Sequence, residues 1–521
     1  MNFITIRTGV GALGLLIYCC APAAHAACED LAKLPLADGK ITSSVVVPAN
    51  AAIPLNLFKT SFPAPVAFCR VAVTLTPTAD SEILAEVWLP DAEQWNGKFL
   101  GVGNGGFGGT VPAIDMRGAV VKGYATAGND LGHELTALTV DGSWVIGHPE
   151  KLKDFAYRAD HVTAEFAKRM IAAYYGRSQQ ASYFRGCSNG GHEALMEAQR
   201  YPDDYDGIVA GAPANSWTHM IAGFLWNERA LNETPDSQIP QSKLAVIQKA
   251  VLAKCDALDG VKDGVINDPA SCHFNLSELL CKSADSPECL TAPQLTALRK
   301  IYDGPVNPRT GKHIYPGFPA GSEGLPHNWD TWIVGPAAYQ GQFGNQVVGS
   351  FMLGDAHWDY KTFDFDKDTA RVDEALGPML NSNNPDLSAF AARGGKLILF
   401  QGWADAAITP FGTIQYYRDI QHKMGAQAQQ FVRLFMAPGM MHCSGGPGPS
   451  NFDAVAALDQ WRQQGQAPES VVASKYPDSP AAMLGGPTGE PLSTRPLCAY
   501  PRVAHWTGKG SYDQAKDYVC R

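Results

Sequence analysis

Apolar residues recur along this chain with two different periods, and the switches between them mark out its elements. Gly97 to Gly103 sets Phe99, Leu100 and Val102 in a short apolar run. That run opens into Asn104-Gly105-Gly106-Phe107-Gly108-Gly109, the pattern of a strand feeding a glycine-rich loop. Gly123 to Ala127 predicts a second strand. From Asp154 to Tyr175 the period lengthens, and Phe155, Val162, Phe166, Met170 and Ile171 fall mainly on one face of a helix. Ala181 to Arg185 returns to a strand. Gly190 to Arg200 is a helix that stops before Pro202, and Ile208-Val209-Ala210 is a buried strand. This alternation predicts an α/β fold with a mainly parallel sheet.

Between Ser216 and Asn384 the pattern changes. Aromatic residues, Pro and Gly are scattered among short helical stretches, four cysteines cluster, and no series of long strands appears. The expectation is an inserted lid domain. The sheet pattern resumes at Gly395-Lys396-Leu397-Ile398-Leu399-Phe400 and again from Phe431 to Met436, and a loop-rich tail carries Cys498 and Cys520. A chain of 521 residues is too long for one ordinary core, which agrees with a core divided into 27–215 and 385–521 around a lid at 216–384.

The first 26 residues read as an export leader: Arg7, an apolar stretch from Val10 to Ala21, and an A-x-A site at Ala24-His25-Ala26. The stretch is shorter than the roughly 20 residues of a membrane span. Bulky Tyr18 disfavours lipoprotein processing at Cys19 or Cys20. Cleavage after Ala26 would remove two of the 12 cysteines and leave an even number, which in an exported chain reads as a disulfide framework. None has the CxxC spacing of a zinc or redox site. The formal net charge of −10, with no basic run, argues against nucleic acid and anionic membranes as partners, and a small-molecule substrate is expected instead. Oligomeric state is not legible.

The chemistry concentrates in Gly186-Cys187-Ser188-Asn189-Gly190, a G-x-S-x-G pattern between a strand and a helix. A nucleophile elbow needs small residues two before and two after its serine, because the tight turn brings backbones together. A serine hydroxyl reacts only when a base takes its proton, and α/β-hydrolases supply base and acid later in the chain, in the order Ser, Asp, His. Asp405 follows the strand ending at Phe400, and His442 follows the strand ending at Met436. Both stand where the carboxyl ends of parallel strands form active sites. Cys187 precedes the serine and Cys443 follows the histidine, so a triad with Ser188 and His442 in contact would bring these cysteines within bridging reach. The oxyanion hole is expected from the backbone N–H of Asn189 and one from Gly105 or Gly106. A phosphate cradle in that loop is disfavoured, since neither a Walker lysine nor a dinucleotide fingerprint accompanies it.

These motifs resemble the tannase/feruloyl esterase family, which includes mono(hydroxyethyl) terephthalate hydrolase. The matching stretches are Gly186 to Gly191, Gln199 to Pro213, Gly304 to Glu323 and Phe435 to Gly446, within a resemblance that spans nearly the whole mature chain. The resemblance implies an α/β-hydrolase core with a large inserted lid, a Ser188–Asp405–His442 triad with a Cys187–Cys443 bridge, and hydrolysis of ferulate, caffeate or gallate esters. It also implies a structural calcium ion held by Asp256, Asp259 and Asp263 side chains and by Val261 and Val265 carbonyls, with Cys255–Cys272 clamping the loop. Three carboxylates in eight residues repel one another unless a hard cation gathers them, and Ca²⁺ favours oxygen ligands. Cys28–Cys69, Cys281–Cys289 and Cys498–Cys520 are the remaining pairings that the resemblance implies. Relatives that hold a terephthalate carboxylate use a lid arginine, and Gly335 to Tyr360 contains no Arg or Lys, which disfavours terephthalate half-esters. Trp226, Trp332, Phe343, Phe351 and Trp358 are candidates for an aromatic pocket. The competing readings are a hydrolase of synthetic or aliphatic esters, and a non-catalytic exported binding protein on the same scaffold, which would commonly lack a triad member.

Overall fold

The computed structural model describes residues 1, 26–55, 59–135, 139–477 and 489–521. The expected leader, apart from Met1 and Ala26, lies outside the described residues. In chain order the strands begin with β1 (Gly39–Val47), β2 (Ala52–Leu55), β3 (Thr60–Pro63), β4 (Phe68–Leu75) and β5 (Ile83–Pro90). The inner strands are β6 (Lys98–Val102), β7 (Ala125–Asn129), β8 (Ala181–Cys187), β9 (Gly207–Gly211), β10 (Lys396–Gly402) and β11 (Val432–Ala437). The tail adds β12 (Ser470–Lys475), β13 (Ser493–Cys498), β14 (Ala504–Trp506) and β15 (Tyr518–Cys520).

One nine-stranded sheet has the order β1-β4-β5-β7-β6-β8-β9-β10-β11. From β7 to β11 neighbouring strands are parallel, while β1, β4 and β5 extend the sheet antiparallel. The chain folds as an α/β-hydrolase, as expected. The inner strands read as continuous apolar runs because helices cover both faces. Ile398 and Phe400 join one apolar cluster with Met116, Leu458 and Trp461, while Leu397 and Leu399 point the other way into a cluster with Phe166, Leu195 and Ile414. Helix α1 (Ala113–Val120) and the helix Ala454–Gln464 cover the first face.

Several boundaries differ from the sequence reading. The strand expected at Gly123 begins at Ala125, because Gly123 turns the chain with φ of +78°. The long helix starts earlier than Asp154. Helix α2 (Pro149–Lys153) runs into α3 (Ala159–Tyr175) through a wide turn at Asp154–Arg158, where Ala159 N–H reaches back to the Asp154 carbonyl. The tail is not merely loop: β12 pairs with β13 and β14 with β15 in two antiparallel ribbons.

Helix α4 (Asn189–Arg200) follows β8, and α5 (Trp217–Leu231) opens the region expected as a lid. Between 216 and 384 the described residues form helices and isolated bridges but no named strand. The region builds an apolar cluster of its own from Leu231, Leu244, Ile247, Leu298, Ile301 and Trp329. All five expected disulfides are present: Cys28–Cys69, Cys187–Cys443, Cys255–Cys272, Cys281–Cys289 and Cys498–Cys520. Among the described residues no helix is long and apolar enough to cross a membrane.

Candidate active site

Ser188 sits between β8 and α4 with φ of +66° and ψ of −122°. Such a conformation is costly for a non-glycine residue, about 1–3 kcal/mol, and persists only where neighbours enforce it. Here they do. Ser188 N–H bonds the Gly211 carbonyl at 3.0 Å, and the Ser188 carbonyl accepts from Gly191, His192 and Ala214. The flanking glycines are required by close approach. A Cβ on Gly186 would lie 2.2 Å from the Gly190 carbonyl oxygen, and one on Gly190 would lie 2.8 Å from that of Asn104. The G-x-S-x-G spacing is therefore a steric consequence of packing the elbow against its own helix and the glycine-rich loop.

His442 lies beyond β11 and Asp405 beyond β10, at the same edge of the sheet. Nδ1–H of His442 donates to Asp405 Oδ2 at 2.9 Å. That assignment leaves Nε2 as the free acceptor. The Asp405 carboxylate is fully enclosed, with Oδ1 accepting from the N–H groups of Ala407 at 2.8 Å and Ile408 at 2.9 Å. Oδ2 also accepts from Gln401 Nε2 at 2.8 Å, and Gln401 Oε1 in turn accepts from the Thr413 hydroxyl. The Cys187–Cys443 bridge, with Cα atoms 5.9 Å apart, ties the residue before Ser188 to the residue after His442. Ser188 and His442 line one cavity of about 900 Å³.

Gly105 and Gly106 border that cavity, and Gly106 and Asn189 also border a smaller recess beside Ser188. The Asn104 carbonyl accepts from Gly190 N–H at 2.6 Å, which fixes the loop to the elbow, whereas the Gly105 and Gly106 N–H groups have no partner among the described residues. Of the five aromatic candidates, only Trp332 and Phe343 border the recess. The Trp332 ring meets the His442 ring edge to face at 5.1 Å. Trp226 instead donates to the Lys300 carbonyl and packs on Phe365, Phe351 packs among Phe107, Trp144 and Phe155, and Trp358 packs on Phe363. Residues missed by the sequence reading complete the recess: Ala214, Trp217, Met220, Phe224, Ala407 and Ile408. No charged side chain lines it. The wider cavity, by contrast, carries Arg70 paired with Glu86, Arg185 near Asp115, and Asp130 and Glu134.

The acidic loop after Asp256 is organised by hydrogen bonds. The Asp256 carboxylate accepts from the N–H groups of Asp263 and Gly264, Asp259 Oδ1 from Val261, and Asp263 Oδ1 from Val265. Asp259 Oδ2 is buried without a partner, and burial raises that carboxyl above its ordinary range. Arg495, which the sequence reading did not identify, donates to Asp263 Oδ2 at 2.6 Å and relieves part of the repulsion. Among the described residues no three His, Cys, Asp or Glu side chains are gathered for a metal ion.

With this geometry in hand, comparison with known proteins is consistent. The family described as "Tannase and feruloyl esterase" matches residues 69–521. An uncharacterized esterase of Xanthomonas campestris pv. campestris is 40% identical over 99% of this chain and 94% of its own. A probable feruloyl esterase B-1 of Aspergillus oryzae is 31% identical over 95% of this chain and 93% of its own. The crystal structure of feruloyl esterase B from Aspergillus oryzae superposes with a TM-score of 0.84 at 28% identity, over 95% of this chain and 99% of that one.

Proposed function

We propose, on the premise that the chain belongs to the tannase and feruloyl esterase family, that it is a serine esterase for hydroxycinnamoyl or galloyl esters. That it is a carboxylic ester hydrolase acting on aromatic esters follows from the family. The observation that carries the finer reading is the uncharged recess beside Ser188, walled by Trp217, Trp332 and Phe343. The recess measures only about 30 Å³, so an aromatic acyl group reaches it from the adjoining cavity of about 900 Å³, and its uncharged lining offers no partner to a second carboxylate such as that of a terephthalate half-ester. The wider cavity, which shares Gly106, Ser188 and Trp332 with the recess and carries charged groups in a mainly apolar lining, takes the alcohol portion.

In this mechanism Ser188 Oγ attacks the acyl carbon while His442 Nε2 takes its proton. The oxyanion of the tetrahedral intermediate is held by the N–H groups of Asn189 and of Gly105 or Gly106. Collapse breaks the bond to the alcohol oxygen, which receives the proton from His442. Water then attacks the acyl-enzyme, again losing a proton to Nε2, and the free acid leaves as Ser188 regains its proton. Asp405 stays ionised, orienting the imidazole and stabilising it when charged. The test is turnover of methyl ferulate by the protein and by Ser188→Ala, with methyl gallate and a terephthalate half-ester alongside.

Two further readings belong to this proposal. Asp256, Asp259 and Asp263, with the Val261 and Val265 carbonyls, would hold a structural calcium ion, which would have to draw together carboxylates that are not gathered as they stand. The orphaned Asp259 oxygen supports this, and the Arg495–Asp263 pair is its competitor for charge. The chain is exported after cleavage behind Ala26. The five disulfides support an oxidising destination, and recovery of a mature N-terminus at Ala27 tests it.

A further inference from the structure

Beneath the nucleophile elbow lies a pair of buried acids that the reaction itself does not use. Glu193 stands one turn beyond Asn189 on α4 and is 1% exposed. Its carboxyl accepts the Asn104 backbone N–H, at 3.0 and 3.2 Å to its two oxygens, and accepts Asn189 Nδ2 at 2.8 Å. On its far side it neighbours Asp160 of α3, and Asp160 accepts from Asn129 Nδ2 at 2.9 Å. Asn104 completes the circuit, donating its side-chain amide to the Asn129 carbonyl at 2.8 Å. Among the described residues neither acid has a Lys, Arg or His partner within ion-pair distance. Burial, together with the neighbouring Asp160 charge, pushes the Glu193 carboxyl well above its ordinary range.

The contacts of Glu193 are the two segments that carry the oxyanion N–H groups: the start of the glycine-rich loop and the residue after the nucleophile. A carboxyl that only filled space could have bonded any neighbour. We propose that the Asp160–Glu193 pair is a positioning device: Glu193 clamps Asn104 to Asn189 and thereby sets the aim of the oxyanion-hole donors. This rests on the acyl-enzyme reading above.

The clamp acts on the transition state and not on the bound acid, which separates it from a merely structural role. Losing one oxyanion donor in a serine hydrolase costs on the order of 10²–10³ in kcat. Glu193→Ala is expected to lower kcat for methyl ferulate about 10²-fold with KM little changed. It should weaken an arylboronic acid, which mimics the tetrahedral oxyanion, by a similar factor while leaving inhibition by free ferulate unaltered. Glu193→Gln keeps an acceptor oxygen and presents an N–H to Asp160, so it should recover most of the lost kcat. Glu193→Asp, one methylene short, should not. Equal weakening of boronate and ferulate, or an unchanged boronate affinity, overturns the proposal. If Glu193→Ala does not fold, the proposal falls if Glu193→Asp keeps full kcat or if Glu193→Gln fails to rescue. Retained turnover in Ser188→Ala would instead defeat the acyl-enzyme reading, a result independent of the Glu193 variants.

Discussion

Ser188, Asp405 and His442 were legible because each stands at a strand end with a fixed chain order, and that grammar is short-range. Gln401, Asp160 and Glu193 were not, although Gln401 donates to Asp405, Glu193 accepts from Asn104 and Asn189, and Asp160 accepts from Asn129. Gln401 is the one polar residue of β10 that is fully buried, at the strand's carboxyl end, whereas Lys396 at its start is part-exposed. Glu193 gives no signal in the sequence, since an acid four residues into a helix is usually solvated. Only the fold shows that it is enclosed. Glu197, one turn further along α4, is enclosed as well, at 1% exposed. Burial, then the charges of Asp204 and Asp160, raise its carboxyl well above the ordinary range, with Lys168 opposing. An acid raised in the fold keeps its proton after the unfolded chain has released one. Its effect on stability is therefore lost progressively as pH rises above about 4.3, the ordinary glutamate value, toward the folded value. Glu197→Gln removes that term. Melting curves between pH 5 and 8 should show Tm falling less steeply for the variant, and parallel curves would show that Glu197 is ionised in the fold.

At the scale of elements, legibility followed burial. Strands β6 and β8 to β11 are covered on both faces and stood out as apolar runs, whereas β1 buries only Ile41 and Ser44 among nine residues. In the tail, β12 leaves Val472 exposed and likewise read as loop. The Cys187–Cys443 bridge spans 256 residues and joins the elbow to the histidine loop. In the chain-entropy account, closing so long a loop destabilises the unfolded state by about 5 kcal/mol, although measured gains are commonly smaller. Replacing both cysteines with alanine should lower Tm. It should also lower kcat by more than the lost folded fraction explains, because His442 must stay within roughly 3 Å of Ser188 Oγ. Activity that tracks the folded fraction alone would limit the bridge to stability.

For the whole molecule, the first run of sheet strands ends at Gly211, and a separate apolar cluster gathers residues from Ala230 to Val334 together with Ala406. The acidic loop of that region meets the C-terminal tail through Arg495, a contact between residues 232 positions apart that no local motif could reveal. Calcium there would couple this loop to the tail. A ligand bound only by the fold stabilises it by about 2.7 kcal/mol at a hundredfold excess over Kd. EDTA should therefore lower Tm, with calcium restoring it better than magnesium. Untreated protein free of calcium by metal analysis would leave the Asp263–Arg495 pair as the loop's own solution to its charge.

The central claim is that aromatic-acid esters are cleaved through Ser188, and kcat/KM for methyl ferulate in the protein and in folded Ser188→Ala tests it most directly. The expected result is ready turnover by the protein, slower turnover of a terephthalate half-ester, and loss of at least about 10⁴-fold in the variant, leaving only the residual effect of the oxyanion hole. Turnover by Ser188→Ala near that of the unaltered protein, or no turnover of any aromatic ester by the protein itself, would contradict it.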